Sequence, residues 1–351
     1  MAISIRDLEE AAAGGWRAPE ETRMKGDWSG QGRWVGGGGW LLRAAGGFTG
    51  RANSALAAGD PGMPLADALA EVSRWYAARG LPAMVSVPYP TDDPHASPVD
   101  RLLADLGWPV RSGAATVMTA ASAAVADAAA GAATAMRVDL DAEPDEPWLA
   151  RYRFRGQPLP PIARQLLLSA PWQRFASVRE AGRTIAVGRV AVAAGWAGIT
   201  AVEVDPAHRR LGLGRAITGA LAAAAANRGA ANLYLQVLDD NSIARTLYRQ
   251  AGFADHHGYH YRVAADSPGS PGGGAHWHSS RSSRASGNQQ PGAEFRGVAG
   301  QEVGVAFRPI TGVEIGTQVR DRPVPATSNW NTTTRRATRR ISRRPATGSA
   351  Q

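Results

Sequence analysis

The sequence predicts an α/β (α+β) fold with a mixed central sheet flanked by helices, and three observations carry that reading. Residues Ile199 to Val204 are rich in β-branched side chains, as a buried strand requires. The strand stops at Pro206, which has no amide to give to a ladder. After a short basic loop the chain runs from Leu213 to Asn227 in nearly unbroken Ala, Leu and Ile, which favour helix, and Gly229 stands where a C-terminal cap belongs. A second strand, Leu233 to Leu238, and a second helix, from Asn241, follow.

The elements can be justified in order from the N-terminus. Met1 to Glu21 begins as a helix with Leu8 turned inward, and Asp27 to Gly39, rich in glycine around Trp28 and Trp34, reads as a loop. Trp40 to Arg43 and Arg51 to Leu56 are short strands on either side of Gly46-Gly47. From Pro64 to Arg79, Leu65, Leu69, Val72 and Tyr76 recur at helical spacing until Gly80 ends the helix. Ala83 to Val87 is a strand, Val99 to Leu106 a helix closed by Gly107-Trp108, and Val110 to Met118 a strand. The Ala-rich run to Met136 is poor in Leu and Ile and contains Asp127, which excludes a membrane span and predicts an interdomain linker over 121–136. Beyond Arg137 come helical segments around Trp148 and Pro161 to Ser169. A hairpin around Ala181-Gly182-Arg183 then leads into the central strand.

This order repeats. Gly59-Asp60-Pro61 can be laid over Val204-Asp205-Pro206, Gly80 over Gly229 and Gly107-Trp108 over Gly252-Phe253, at offsets of 145, 149 and 145 residues. The four-residue excess falls where the second copy has its Arg-rich loop. The expected organisation is a first lobe at 1–120, the linker, a second lobe at 137–265 and a tail at 266–351.

Composition narrows the function classes. With no cysteine, disulfides, thiolate catalysis and cysteine zinc sites are excluded. Of the formal net charge of +9, the tail carries +7, from 12 arginines and 5 acidic residues. The tail is dominated by Ser, Gly, Pro, Thr and Arg without sustained periodicity, which predicts disorder. Its paired arginines, Arg335 to Arg344, could hold nucleic acid or anionic lipid. Confined to such a tail, the charge does not point to nucleic acid as a partner of the folded part, which also shows no helix-turn-helix. The charged start, Met1 to Glu10, lacks the apolar run of a signal peptide, and a cytoplasmic protein is expected.

The chemistry centres on Arg209-Arg210-Leu211-Gly212-Leu213-Gly214, a glycine-containing loop feeding a helix. The first amides of a helix have no internal partners and its dipole favours an anion, so phosphate or pyrophosphate is the ligand the physics selects. Arg215 adds further positive charge. A P-loop and a Gly-x-Gly-x-x-Gly dinucleotide site are both absent.

Val204-Asp205-Pro206 followed by Arg209-x-x-Gly212-x-Gly214 resembles the acetyl-CoA signature of the GNAT N-acetyltransferases. The resemblance extends to Asn241-x-x-Ala244-x-x-Leu247-Tyr248-x-x-x-Gly252-Phe253 and spans roughly Thr184 to Arg262. The whole array resembles two-lobed, actinobacterial GNAT proteins, a tandem GNAT fold whose first copy has lost its pyrophosphate loop. This resemblance implies acetyl-CoA as co-substrate, an amine acceptor and direct attack of the amine on the thioester. The amides of Arg209, Arg210, Leu211, Gly212, Leu213 and Gly214 then hold the pyrophosphate, and pantetheine adds to the strand at Val202 and Val204. The Val204 amide polarises the thioester carbonyl, Asn241 and Ala244 lie along pantetheine, and Tyr248 is the general acid.

For Tyr248 the other reading is core packing beside Leu247 and Phe253. For Glu203, the candidate general base, it is a structural ion pair. His208, His256, His257 and His260 form no metal-ligand pattern, so no metal is expected, and they are read as lining the acceptor pocket or the surface. The competing functions are a mycothiol-synthase-like acetyltransferase and a non-catalytic acyl-CoA- or nucleic-acid-binding protein. Neither the acceptor nor the oligomeric state can be read from the sequence.

Overall fold

The computed structural model describes residues 3–24, 28–29, 33–34, 39–133, 137–153 and 158–265. The expected disordered tail at 266–351 lies outside them. In the first half the elements are α1 (Ile5–Gly14), β1 (Glu20–Arg23), β2 (Trp28–Ser29), β3 (Arg33–Trp34), β4 (Leu41–Ala44), β5 (Ala55–Leu56), α2 (Leu65–Ala77), β6 (Met84–Tyr89), α3 (Pro98–Asp105) and β7 (Val110–Ala121). Then come α4 (Ser122–Ala133), β8 (Asp139–Asp141), α5 (Glu146–Arg151), α6 (Ile162–Leu167), β9 (Trp172–Glu180), β10 (Arg183–Ala193) and β11 (Trp196–Val204). α7 (Leu213–Asn227), β12 (Asn232–Leu238), α8 (Ser242–Gln250) and β13 (Ala254–Val263) complete the described chain.

Most elements lie where hydrophobic periodicity puts them. Leu8 is fully buried on α1, and Ser4 caps that helix by accepting from the Asp7 amide at 3.1 Å. Three segments differ. Trp28–Ser29 and Arg33–Trp34 pair as a minimal hairpin within the stretch read as loop. Arg51 to Asn53 is no strand. Gly50–Ala52 forms a single 3₁₀ turn, because the Asn53 side chain accepts from the Ala45 and Gly47 amides and donates to the Phe48 and Thr49 carbonyls.

The third difference is the expected linker. Ser122 to Ala133 is a helix, and its small residues let it lie directly on α7 with Val125 and Ala129 buried. At Gly219 of α7 an added methyl would overlap the Ala129 methyl. Gly219→Ala should therefore cost about 1–3 kcal/mol through overpacking, read as a lower denaturant midpoint with an unchanged slope. A Gly219→Ala protein of wild-type stability would show that the two helices are not in close contact.

Eleven of the described strands form one sheet in the order β1-β4-β5-β6-β13-β7-β12-β11-β10-β9-β8. The order is symmetric about the β13–β7 pair except for the extra edge strand β8, and each half contains one parallel pairing, β5 with β6 and β11 with β12. The duplicated architecture is thus a tandem GNAT-like sheet with the final strands exchanged. β7, from the first half, pairs with β12, and β13, from the second, pairs with β6. The two exchanged strands pair antiparallel with each other. Local pattern specifies a strand and its buried face, but not which of two equivalent edges it joins.

On one face of the second half, α4, α7 and α8 enclose a core that includes Met118, Val125, Ile217, Leu221, Leu233, Leu235 and Phe253. The opposite face is covered by α1, α5 and α6 through Leu8, Trp148, Leu166 and Leu167.

Candidate functional site

The site is built on an irregularity in β11. Against β10, Thr200 pairs with Arg189 and Glu203 with Val187, so Ala201 and Val202 stand opposite Gly188 alone. Ala201 takes up the surplus with φ of 55°, the left-handed conformation of a β-bulge. Gly188 has no side chain because Ile217 of α7 occupies that space.

The bulge turns β11 away from β12. Their parallel ladder runs only from Trp196–Asn232 to Ile199–Leu235, which leaves the β12-facing edge of Thr200 to Val204 open. The Asp205 amide donates to Ile185 of β10 at 2.8 Å. Successive amides of an extended strand point to opposite edges, so the Val204 amide faces the opening.

Beyond the strand, Asp205 caps the 3₁₀ turn Pro206–His208. Its carboxylate accepts from the Ala207 amide at 2.9 Å and pairs with Arg151 at 2.6 Å. The Ala207 hydrogen bond first, then His208 and Arg151, hold it below the ordinary carboxylate range. Arg210, at φ of 63°, and Gly212, at 81°, are both left-handed in the loop that enters α7. Gly212 is the N-cap, where no side chain competes for the first amides. Arg209, Arg210 and Leu211 are exposed, and neither arginine has an ion-pair partner among the described residues.

Two residues expected at this loop are placed differently. The Arg215 guanidinium donates to the Ala128 carbonyl of α4, a partner invisible while that segment reads as linker. At Gly214 the open space is taken by Leu247 of α8, so the glycine serves helix packing and brings α8 against the loop.

Asn241 and Tyr248 flank the opening from α8. Asn241 is the helix cap, accepting from the Ala244 amide at 3.1 Å, so it stands outside the helical face shared by Ala244 and Tyr248. Only its side-chain amide nitrogen remains to donate. Tyr248 is buried, edge-on to Phe253 with centroids 5.8 Å apart, in a core that also takes in Val202, Val204 and Leu247. Burial pushes its phenol up to about 12.

Glu203 is held on the other face. It accepts from the Arg153 amide at 2.8 Å and from Arg151 at 3.4 Å. Of the two roles open to it, the ion pair is formed.

Comparison with known proteins places this geometry. The family described as "Probable histone acetyltransferase Rv0428c C-terminal" matches residues 2–262. The chain belongs to this GNAT acetyltransferase family. It is 30% identical over 278 residues to the probable histone acetyltransferase Rv0428c of Mycobacterium tuberculosis, covering 74% of each chain. It is 27% identical over 265 residues to the uncharacterized N-acetyltransferase YobR of Bacillus subtilis, covering 74% of this chain and 98% of that one.

Two solved structures share the fold of this GNAT at a TM-score of 0.50. One is a GCN5-related N-acetyltransferase from Kribbella flavida, 18% identical and covering 77% of this chain and 98% of its own. The other is a tandem GNAT protein from the clavulanic acid biosynthesis pathway, 15% identical and covering 73% and 87%.

Of the four histidines read as lining the acceptor pocket or the surface, His257 and His260 are buried in ion pairs, while His208 and His256 stay partly exposed. His257 and His260 are buried in pairs with Glu9 at 2.9 Å and Asp100 at 2.5 Å, and His208 pairs with Glu180 at 3.0 Å. No group of three or more metal-ligating side chains occurs among the described residues, and none of their helices is long and apolar enough to cross a membrane. The sequence reading missed Arg151, which ties α5 to Glu203 and Asp205, and a set on the face opposite α7: Arg189, Tyr234, Tyr259 and Tyr261, which are buried, and Arg51 and Tyr152, which are half-buried. Alternation of Tyr259 and Tyr261 along one strand was the available signal. The arginines, scattered through apolar stretches, gave none.

Proposed function

We propose that the chain is an acetyl-CoA-dependent N-acetyltransferase that moves the acetyl group to a primary amine by direct attack. The observation that carries the reading is the opening between β11 and β12, with the Val204 amide turned into it and the left-handed loop into α7 at its end. An extended chain with amide groups, such as pantetheine, suits an unpaired strand edge. A pyrophosphate suits the free amides from Arg209 to Gly214 beside two unpaired arginines. Acetyl-CoA supplies the thioester, so that a C–N bond forms as the C–S bond breaks.

The chain's own residues then divide the work. Val202 and Val204 line the edge, and the Val204 amide stabilises charge on the carbonyl oxygen. The Asn241 side-chain nitrogen and the Ala244 surface bind the extended arm. Tyr248 gives its hydroxyl proton to the departing sulfur and regains one from solvent. Glu203, held by Arg151 and the Arg153 amide, orients the acceptor electrostatically, and the surplus amine proton passes to solvent.

Calorimetric titration of CoA into the full chain tests the loop. Gly212→Asp should weaken binding by at least about tenfold, because a carboxylate at the helix N-terminus opposes the phosphates. Unchanged affinity in a folded variant removes the loop from the site. A panel of amines with acetyl-CoA, read by free-thiol release, tests the reaction. A chain that binds CoA yet releases no thiol with any amine is an acyl-CoA-binding protein instead.

A further inference from the structure

On the face of the sheet opposite α7, one arginine has no anion. Arg51 sits on the 3₁₀ turn Gly50–Ala52, its Nε is enclosed without a hydrogen-bond partner, and no ion pair reaches its guanidinium among the described residues. Other deep arginines are provided for. Arg43 donates to the Ser54 carbonyl and hydroxyl, and Arg262 holds Asp100 through two nitrogens. An unpaired buried charge is costly unless a partner arrives from outside. Arg51 is not sealed off, since the residue keeps intermediate exposure.

Its surroundings are rich in donors. Tyr152 packs in one cluster with Ala52, the residue after Arg51, and Tyr259 lies edge-on to Tyr261 with centroids 5.5 Å apart. The Tyr261 ring lies directly against Gly50, the residue before Arg51, because that glycine has no side chain. Arg189 donates to the carbonyl of Gly15, against which the Tyr234 hydroxyl lies, and one of its terminal nitrogens is buried without a partner. Thr200, its neighbour across the β10–β11 ladder, has a buried, unpartnered hydroxyl. The cluster of Tyr152 and Ala52 takes in Ala201 of the bulge, which joins this set to the bulged strand. Burial pushes Tyr152 and Tyr234 up to about 12, so at neutral pH both are donors as well.

We propose that this set is the acceptor subsite and that it takes an amine bearing a carboxylate, with Arg51 as the primary partner of that carboxylate and Arg189 and Thr200 completing the contact. The inference rests on the transferase reading above and adds the acceptor class to it.

The test uses the full chain at saturating acetyl-CoA, with each standard L-amino acid compared with its own carboxamide by thiol release. For the amino acids that turn over, kcat/KM should exceed that of the carboxamide by roughly 10- to 100-fold, the range of a hydrogen bond to a charged group. Arg51→Gln should lower kcat/KM for the amino acid by the larger factor and so remove that preference, while Arg51→Lys should restore part of it. Equal rates for acid and carboxamide in the wild type overturn the proposal, and so does an Arg51→Gln variant that lowers both equally. The wild-type comparison needs no variant, so a failure of Arg51→Gln to fold does not shelter the proposal.

A second measurement separates this inference from the transferase reading. The N-acetyl-L-amino acids are titrated calorimetrically into the chain with CoA present. Binding lost in Arg51→Gln supports the carboxylate subsite even if no amine releases thiol. Absence of binding to the wild type overturns it even if other amines are acetylated.

Discussion

Replacing Tyr248 by Phe should lower kcat by roughly 10²- to 10⁴-fold, the usual worth of a general acid, with little change in the affinity for acetyl-CoA. The argument starts from burial. The Tyr248 ring packs against Phe253 in the core beneath α8, a role that Phe would fill equally well. The hydroxyl makes no hydrogen bond to a described residue, so Phe leaves no protein group unpaired. Burial holds the phenol near 12, so it stays protonated throughout the neutral range and carries no charge before the sulfur departs. Stopped-flow or steady-state thiol release, set beside calorimetric CoA binding, reads the split between kcat and affinity. Near wild-type turnover in a folded Tyr248→Phe protein would make the residue structural and leave the thiolate to depart unaided.

The second large effect is on stability. Asp100, on α3, is buried between two side chains of the exchanged strand β13, with Arg262 donating at 2.6 and 3.0 Å and His260 at 2.5 Å. Arg262 also donates to the Trp108 carbonyl at 2.8 Å, so the cluster fastens the end of the second half onto the first. Asp100→Ala leaves an enclosed guanidinium without its anion. It should cost about 3–5 kcal/mol, measured by denaturant unfolding, whereas Asp100→Asn keeps the shape and should cost less.

The pH dependence follows with a definite sign. Burial alone would raise the Asp100 pKa, but the hydrogen bonds from Arg262 and His260 override it and hold the carboxyl below its usual range. A folded pKa below the unfolded one stabilises the protein above about pH 4. That stabilisation is lost as acid titrates the folded carboxyl, and Asp100→Asn should flatten the acid limb. An unaltered acid limb in Asp100→Asn would show that another group governs acid unfolding.

The sequence by itself determined most of the elements of this protein and the family it belongs to. Strand and helix follow from the spacing of apolar side chains and from Pro206, Gly212 and Gly229, all of which act within a few residues. The loop from Arg209 to Gly214 and the Asn241–Tyr248 segment are legible for the same reason, since each is a contiguous stretch of chain. Only the tertiary structure decided what depends on residues far apart in sequence. Strand exchange, which puts β13 between β6 and β7, is one case, because two homologous edges offer the same hydrogen bonds. The helix Ser122–Ala133 is another, because alanine marks a linker or a close-packed helix until Gly219 provides the groove. The ion pairs that absorb Glu203, His257 and His260 span 52, 248 and 160 residues. So does the placing of Arg51 with Tyr152, Tyr234 and Tyr261, which no local pattern encodes. A side chain's partner is set by where the backbone brings it, and that is a property of the folded chain alone.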